Sequence, residues 1–332
     1  MMCLNESTLD PFEAIKDKII DKMKDVHLNR YFNDVTGQLY TKLAEYAEVE
    51  EDQLVFGNGV DEMLYYLFTA VRESSESFAV SFSPSYFDYK SYCNAVGLTI
   101  KHVNLDENYA NDIDAFLEIA ADDNCKLLIL CNPNNPTGQL LTEEQVLRIL
   151  NNTDKLVLID ETYFEFSKVT YKNLISKYSN LIITRSFSKA FSAAGLRFGY
   201  LISNADNIVQ LKKVMTAFNI GLMTQTIALC ILEERHIFLA HTAEVIKFRN
   251  EVYARLKKIP QLKVVNTHTN FLLLSLADKT KQLFDFLQEN DIALRDVGAH
   301  PIMKNHIRVT ISSKEDNDIF VQKVNEFVRE KC

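Results

Sequence analysis

The stretch Leu181-Ile182-Ile183-Thr184-Arg185-Ser186-Phe187-Ser188-Lys189-Ala190-Phe191 decides how the rest of this chain is read. Its continuous apolar start suits a strand covered on both faces, as in a parallel sheet wrapped by helices. Two serines and a lysine follow at once. A lysine just past such a strand is in an unusual place for a solvated ammonium, because burial disfavours the charged form and lowers its pKa. A neutral amine is the species that attacks a carbonyl to give a Schiff base. Ser186 and Ser188, with Arg197 in Gly195-Leu196-Arg197-Phe198-Gly199, supply hydroxyls and a guanidinium suited to a phosphate. Taken alone, the same residues describe a surface lysine beside serine helix caps. The neighbouring segments decide against that.

Working outward, short apolar runs precede it: Phe78-Ala79-Val80-Ser81-Phe82, Leu127-Leu128-Ile129-Leu130 and Leu156-Val157-Leu158-Ile159. The last two end in polar residues, Asn132-Pro133-Asn134-Asn135 and Asp160-Glu161-Thr162. Ligands of open α/β sheets bind beyond the carboxyl ends of the strands, so these clusters belong to one candidate site. A carboxylate as deep as that of Asp160 is costly without a cationic partner. A protonated pyridine nitrogen would serve, and the pairing would keep the ring an electron sink; the plainer alternative is an Asp that caps the next helix. Tyr163 follows three residues later. Asn132-Pro133-Asn134-Asn135-Pro136-Thr137-Gly138 has the composition of a turn, yet Asn135 sits where its amide can bond a ring oxygen. Gly57-Asn58-Gly59-Val60-Asp61-Glu62 opens a helical run and presents free N–H groups to an anion. It matches neither the ATP nor the dinucleotide glycine fingerprint.

The chain has 332 residues, 47% hydrophobic and 24% charged, a length that suits one large domain with a smaller satellite. A net charge of -9 gives no electrostatic footprint for nucleic acid or anionic membrane. No run approaches the roughly 20 apolar residues that span a bilayer, and Met1-Met2-Cys3-Leu4-Asn5-Glu6 does not resemble a secretory signal. Six scattered cysteines without a C-x-x-C pair fit reduced thiols in a cytoplasmic protein. Seven histidines without metal-ligand spacing lead to the expectation of no metal. Asp10-Pro11 opens a helix, and Ile15, Ile19, Met23 and Val26 recur along it at near-helical spacing. Residues 223–258 read as helical, and the tail as a strand (270–274), a helix (near 278–290), short strands around Arg295 and Arg308, and a terminal helix. The expected division is a large domain over 35–235 and a small discontinuous one from 1–34 and 236–332, with the N-terminal helix packed on the tail.

Together these stretches resemble the fold type I pyridoxal-phosphate (PLP) aminotransferases, most closely the histidinol-phosphate aminotransferase branch. The resemblance covers nearly the whole chain in order. It runs through L-N-R-Y at 28–31, G-N-G-V-D-E at 57–62, P-S-Y at 84–86 and N-P-N-N-P-T-G at 132–138. It continues with D-E-T-Y at 160–163, S-F-S-K-A-F at 186–191, A-G-L-R-F-G-Y at 194–200 and I-R-V-T at 307–310. It implies an α/β fold: a large domain with a mostly parallel seven-stranded sheet covered by helices, plus a smaller α+β domain. It also implies pyridoxal 5'-phosphate as cofactor, carried by Lys189 as an imine. Lys189 would later shuttle the proton between the substrate Cα and the cofactor. Asp160 would partner the pyridinium, Asn135 and Tyr163 would hold the ring hydroxyl oxygen, and Tyr86 would stack on the ring. The backbone at Val60 and Asp61, with Ser186, Ser188 and Arg197, would hold the phosphate. Tyr31 would reach the phosphate of a neighbouring subunit, which implies a homodimer with shared sites. Arg308, together with Asn135, would take the substrate carboxylate through a bidentate fork; the alternative is an exposed arginine in an edge strand. Arg295 would face a substrate phosphate or pair with Asp296.

Departures from the branch pattern concentrate on the substrate side. The N-terminal N-E-N-P-[YF]-G-P stretch is reduced to Leu4-Asn5-Glu6-Ser7, a proline is missing after Tyr31 in Phe32-Asn33-Asp34, and the usual V-G-T reads Ile311-Ser312-Ser313. The expected activity is transfer of an amino group between an amino acid, with histidinol phosphate or an aromatic one as candidates, and a 2-oxo acid such as 2-oxoglutarate. The alternative is a PLP-dependent decarboxylase resembling threonine-phosphate decarboxylase, since the Cα bond that breaks depends on its orientation to the ring plane. A PLP-sensing transcription regulator needs an appended DNA-binding domain, for which this sequence leaves no residues over.

Overall fold

The computed structural model describes residues 2–31 and 33–331. Met1, Phe32 and Cys332, which the sequence reading includes in the N-terminal stretch, the changed 31–34 motif and the cysteine count, lie outside the described residues. Seven strands form the larger sheet: β1 (Leu54–Gly57), β2 (Phe78–Ser83), β3 (Thr99–Asn104), β4 (Cys125–Cys131), β5 (Leu156–Asp160), β6 (Leu181–Ser186) and β7 (Gly199–Ile202). Their order is β1-β7-β6-β5-β4-β2-β3, and only β7 runs antiparallel to its neighbours. This is the expected mostly parallel α/β sheet.

Parallel neighbours require long crossovers, supplied here by helices. Asp88–Ala95 joins β2 to β3, Ile113–Ala120 joins β3 to β4, and Glu143–Asn151 joins β4 to β5. The last helix starts at a capping box, Thr142 accepting from the Gln145 N–H while the Gln145 side chain accepts from the Thr142 N–H. With helices on both faces, β6 is buried throughout and β5 nearly so. Cys131 pairs with Asp160, and Asp160 with Thr184, so β4 and β5 end level while β6 runs on to Ser186. Their terminal polar residues therefore share one rim.

The tail builds a second, antiparallel sheet from β8 (Lys263–Val265), β9 (Phe271–Ser275), β10 (Arg295–Asp296) and β11 (Ile307–Thr310), in the order β10-β11-β9-β8. The helical run read over 223–258 divides at Glu234 into Leu222–Glu233 and Arg235–Leu256. The N-terminal helix also divides. Asp10 caps Pro11–Ala14, Ile15 breaks the pattern at φ -134, and Lys16–Met23 follows, leaving Val26 beyond it.

The N-terminal helices differ from expectation in their partner. Lys16–Met23 and Asp34–Ala47 pack on Leu222–Glu233, not on the tail. Ile15, Ile19, Leu39 and Leu43 join the same core as Ala228 and Leu229. Lys18 and Lys22 pair with Glu233 at 3.0 and 2.9 Å, closing the rim of that contact. An apolar stripe meets an apolar helix, and the charges at its edge match. What joins the tail is the extended stretch before these helices: Met2 N–H donates to Ala293 O, and Thr310 N–H donates to Met2 O, both at 2.9 Å. Among the described residues no helix is long and apolar enough to cross a membrane.

Candidate active site

A cavity of about 1040 Å³ opens beyond the ends of β4, β5 and β6 and is walled on its other side by the tail and the N-terminal stretch. Val60, Asp61, Tyr86, Asn135, Asp160, Tyr163, Ser186, Ser188, Lys189, Arg197, Arg295 and Arg308 all line it. Tyr31 does not: it is 73% exposed and stacks on Phe218, with ring centroids 4.6 Å apart. A role for Tyr31 at such a site therefore requires a second subunit.

Lys189 is half-buried on the cavity wall, and its amine donates to Leu4 O at 3.1 Å. Burial, reinforced by the charge of Arg308, pushes its pKa down to about 8, against the opposing pull of Glu6. The amine is thus tuned toward the neutral, nucleophilic form.

Asp160, the last residue of β5, is 4% exposed. Its Oδ1 accepts from Thr162 N–H (3.0 Å) and the Thr162 hydroxyl (2.6 Å), and its Oδ2 accepts from the Tyr89 hydroxyl at 2.6 Å. Burial raises its pKa, and these bonds pull the other way. Among the described residues it forms no ion pair. A buried carboxylate on a cavity wall without a cation fits a protonated pyridine nitrogen, so the residues present suit the cofactor ring.

At the other end of the cavity the helix Gly59–Val71 begins, with its first N–H groups unpaired within the helix. Gly59 adopts φ +86, and an added Cβ would lie 2.7 Å from Arg197 Nη2. Gly199 lets β7 approach as closely, since a Cβ there would lie 2.6 Å from Val60 N. Arg197 Nη2 donates to Asp61 Oδ2 at 2.6 Å, and Ser186 Oγ accepts from Ser188 N–H at 3.1 Å. Helix N–H groups, two hydroxyls and a guanidinium converge here, a donor set that fits a phosphate. Tyr86 stands between these two regions, its ring edge-on to Tyr89 at 5.2 Å.

On the tail side Arg308 is 8% exposed, in a strand flanked by β10 and β9, so it is no edge-strand surface residue. Nη1 donates to Asn135 Oδ1 at 2.6 Å and Nη2 to Cys3 O at 2.9 Å, while its buried Nε has no partner. Asn135 thereby keeps its Nδ2 to donate into the cavity. Arg295 pairs in register with Arg308, and Asp296 accepts from Gly298 N–H at 2.8 Å instead of pairing with Arg295.

Several residues at this site carry little signal in the sequence. Asn5 donates through Nδ2 to the Tyr163 hydroxyl at 2.8 Å, and the carbonyls of Cys3 and Leu4 hold Arg308 and Lys189. Only the surviving Leu4-Asn5-Glu6-Ser7 fragment hinted at them. Behind Asp160, Glu161 and Arg185 form a buried pair, with Arg185 Nε and Nη2 donating to Glu161 Oε2 at 3.0 and 2.9 Å. Nothing local marks that pair as buried. Among the described residues no group of three or more His, Cys, Asp or Glu is placed to hold a metal ion.

The profile of the family described as "Aminotransferase class I and II" matches residues 1–324. The histidinol-phosphate aminotransferase of Clostridium kluyveri is 31% identical over 325 residues, which span 98% of this chain and 92% of that protein. The solved histidinol-phosphate aminotransferase of Clostridium acetobutylicum superposes with a TM-score of 0.89 at 25% identity, covering 99% of this chain and 98% of that one. The Sinorhizobium meliloti enzyme of that name, solved in complex with pyridoxal-5'-phosphate, shares the fold at a TM-score of 0.88 and 20% identity, over 100% of this chain and 91% of that one.

Proposed function

Because the chain belongs to the class I and II aminotransferase family, we propose that its PLP-dependent amino transfer takes a phosphorylated amino donor such as histidinol phosphate, with 2-oxoglutarate as acceptor. The single observation that carries this choice is the pairing of Arg295 with Arg308. Residues directly opposite in an antiparallel pair lie on one face of the sheet, and like charges placed so are destabilising. Both arginines line the cavity, so an anion between them turns that cost into binding. A phosphate on the donor and a second carboxylate on the acceptor satisfy the same two guanidinium groups in turn.

When bound, the cofactor supplies an electron sink for the bonding electrons at the substrate Cα. Lys189 would attach the cofactor through its amine and would be the group that takes the Cα proton and returns it. Asp160 holds the proton on the ring nitrogen. Asn135 and Tyr163 donate to the ring oxygen, and Tyr86 covers the ring. Val60, Asp61, Ser186, Ser188 and Arg197 anchor the phosphate. Arg308, steadied by Asn135, orients the substrate anion. The protein acts as a cytoplasmic homodimer, with Tyr31 of each subunit reaching the other's site; the exposed Tyr31–Phe218 stack supports that reading.

The test is a panel of half-reactions on PLP-loaded protein, each donor added singly while the cofactor's visible absorbance is followed. Histidinol phosphate should convert the cofactor to its amino form, and unphosphorylated histidinol should do so at least about tenfold less well. Equal conversion by both would remove the phosphate from the reading. Carbon dioxide release from threonine phosphate without conversion would replace amino transfer by decarboxylation.

A further inference from the structure

We propose that Asn5 is a positioning residue for Tyr163: its amide nitrogen occupies the phenol oxygen as a donor and so turns the phenol proton into the cavity. This rests on the reading of Tyr163 as a donor to the cofactor's ring oxygen.

The orientation of the Asn5 amide is fixed by its surroundings. Thr310 Oγ1 accepts from Asn5 N–H at 3.0 Å and donates its own proton to Asn5 Oδ1 at 3.2 Å. Asn270 Nδ2 donates to Asn5 O at 3.0 Å. With the side-chain oxygen claimed by Thr310, Nδ2 is what faces Tyr163, at 2.8 Å. An amide nitrogen only donates, so the phenol must accept from it. All four polar groups of Asn5 are thereby used, and the residue is 2% exposed. Its φ of +55 lies in the left-handed region, where asparagine is among the few favoured side chains.

The hydroxyl of Tyr163 has one proton left to place. Among the hydrogen bonds of the described residues it is an acceptor only, and the residue lines the cavity. A phenol that accepts one hydrogen bond is a stronger donor in the next, because hydrogen bonds in a chain polarise one another. Asn5 therefore both aims and strengthens the bond that Tyr163 gives to the ring oxygen. A stronger bond there stabilises the oxygen as an anion and lowers the pH at which the neighbouring nitrogen of Lys189 loses its proton.

The experiment is a spectrophotometric pH titration of the holoenzyme in four forms: wild type, Asn5→Gly, Tyr163→Phe and the double variant. Glycine keeps the positive φ and the backbone bonds while removing the amide. Asn5→Gly should raise the midpoint of the cofactor's visible absorbance change by about half a pH unit, Tyr163→Phe should raise it further, and the double variant should match Tyr163→Phe. A shift on Tyr163→Phe with none on Asn5→Gly overturns the proposal and leaves the Tyr163 reading standing. If Tyr163→Phe leaves the midpoint unmoved, the Tyr163 reading itself fails, and the proposal with it. An undiminished Asn5→Gly shift in the Tyr163→Phe background shows that Asn5 acts by another route, and this also overturns the proposal. Should Asn5→Gly fail to fold, Thr310→Val removes the hydroxyl that orients the amide; it should give a smaller shift of the same sign, and no shift overturns the proposal.

Discussion

Arg308 Nη1 donates to Asn135 Oδ1 at 2.6 Å, which ties an interior strand of the tail's sheet to the asparagine-proline turn that ends β4. The bond joins two segments 173 positions apart in sequence. It sets the Arg308 guanidinium at a fixed place in the cavity and turns the Asn135 amide nitrogen toward the same space.

Replacing Arg308 by alanine should therefore raise KM for donor and 2-oxo acid alike. The loss should be about 1.5–3 kcal/mol for each substrate, the usual range for a hydrogen bond to a charged group. Steady-state kinetics with each substrate varied in turn measure it, and unchanged KM values for both would take Arg308 out of the site.

Lys189→Ala should lower turnover by at least about a thousandfold, the scale lost with a positioned acid–base group. The other ring and phosphate contacts remain, so the variant should still retain cofactor non-covalently. Absorbance after gel filtration separates that outcome from a misfolded protein.

In cofactor-free protein the Lys189 amine carries a pKa lowered from 10.5 to about 8 by burial. Between these values the unfolded chain binds more protons than the native one, so this residue makes stability rise with pH across that window. Below about pH 8 the native state bears the full cost of the buried ammonium. Lys189→Met should accordingly stabilise the cofactor-free protein below pH 8, and the gain should fade toward pH 10.5. Denaturant midpoints across that range test the sign.

Glu161→Leu leaves the guanidinium of Arg185, which is 1% exposed, without the carboxylate it pairs with. Breaking a buried ion pair from one side costs about 3–5 kcal/mol. Equilibrium unfolding should show that loss; a change under 1 kcal/mol would mean that Glu165, a second buried carboxylate whose charge acts on Arg185, compensates.

Gly59→Ala places a Cβ 2.7 Å from Arg197 Nη2 in a left-handed backbone. The strain of about 1–2 kcal/mol should reduce cofactor affinity about tenfold, and fluorescence titration with PLP reports it.

The sheet was legible because β4, β5 and β6 are continuous apolar runs that end in turn residues, a pattern that depends only on neighbours in sequence. β3 escaped notice: it is an edge strand, largely exposed, and its alternation carries a lysine and a histidine. The lysine, aspartate, asparagine and tyrosine that line the cavity were legible for the same local reason, each standing at or just past a strand end. The N-terminal helix was legible as an amphipathic element, but its apolar stripe says only that a partner exists. Leu222–Glu233 and the tail were equally apolar candidates.

The positions of β2, β4, β5 and β6, the polar residues at the ends of the last three and the chemistry those residues can support were determined by sequence alone, because they follow from periodicity and side-chain type; the order of the strands was not, since β7 sits between β1 and β6. Only the tertiary structure decided that Arg295 is placed opposite Arg308, and that Asp160 forms no ion pair among the described residues. The same holds for the N-terminal stretch, which wires Asn5 to Tyr163 and Leu4 to Lys189 across the cavity. Those are contacts between residues from 158 to 185 positions apart. They depend on which surfaces meet when two sheets pack, and no local pattern encodes that choice.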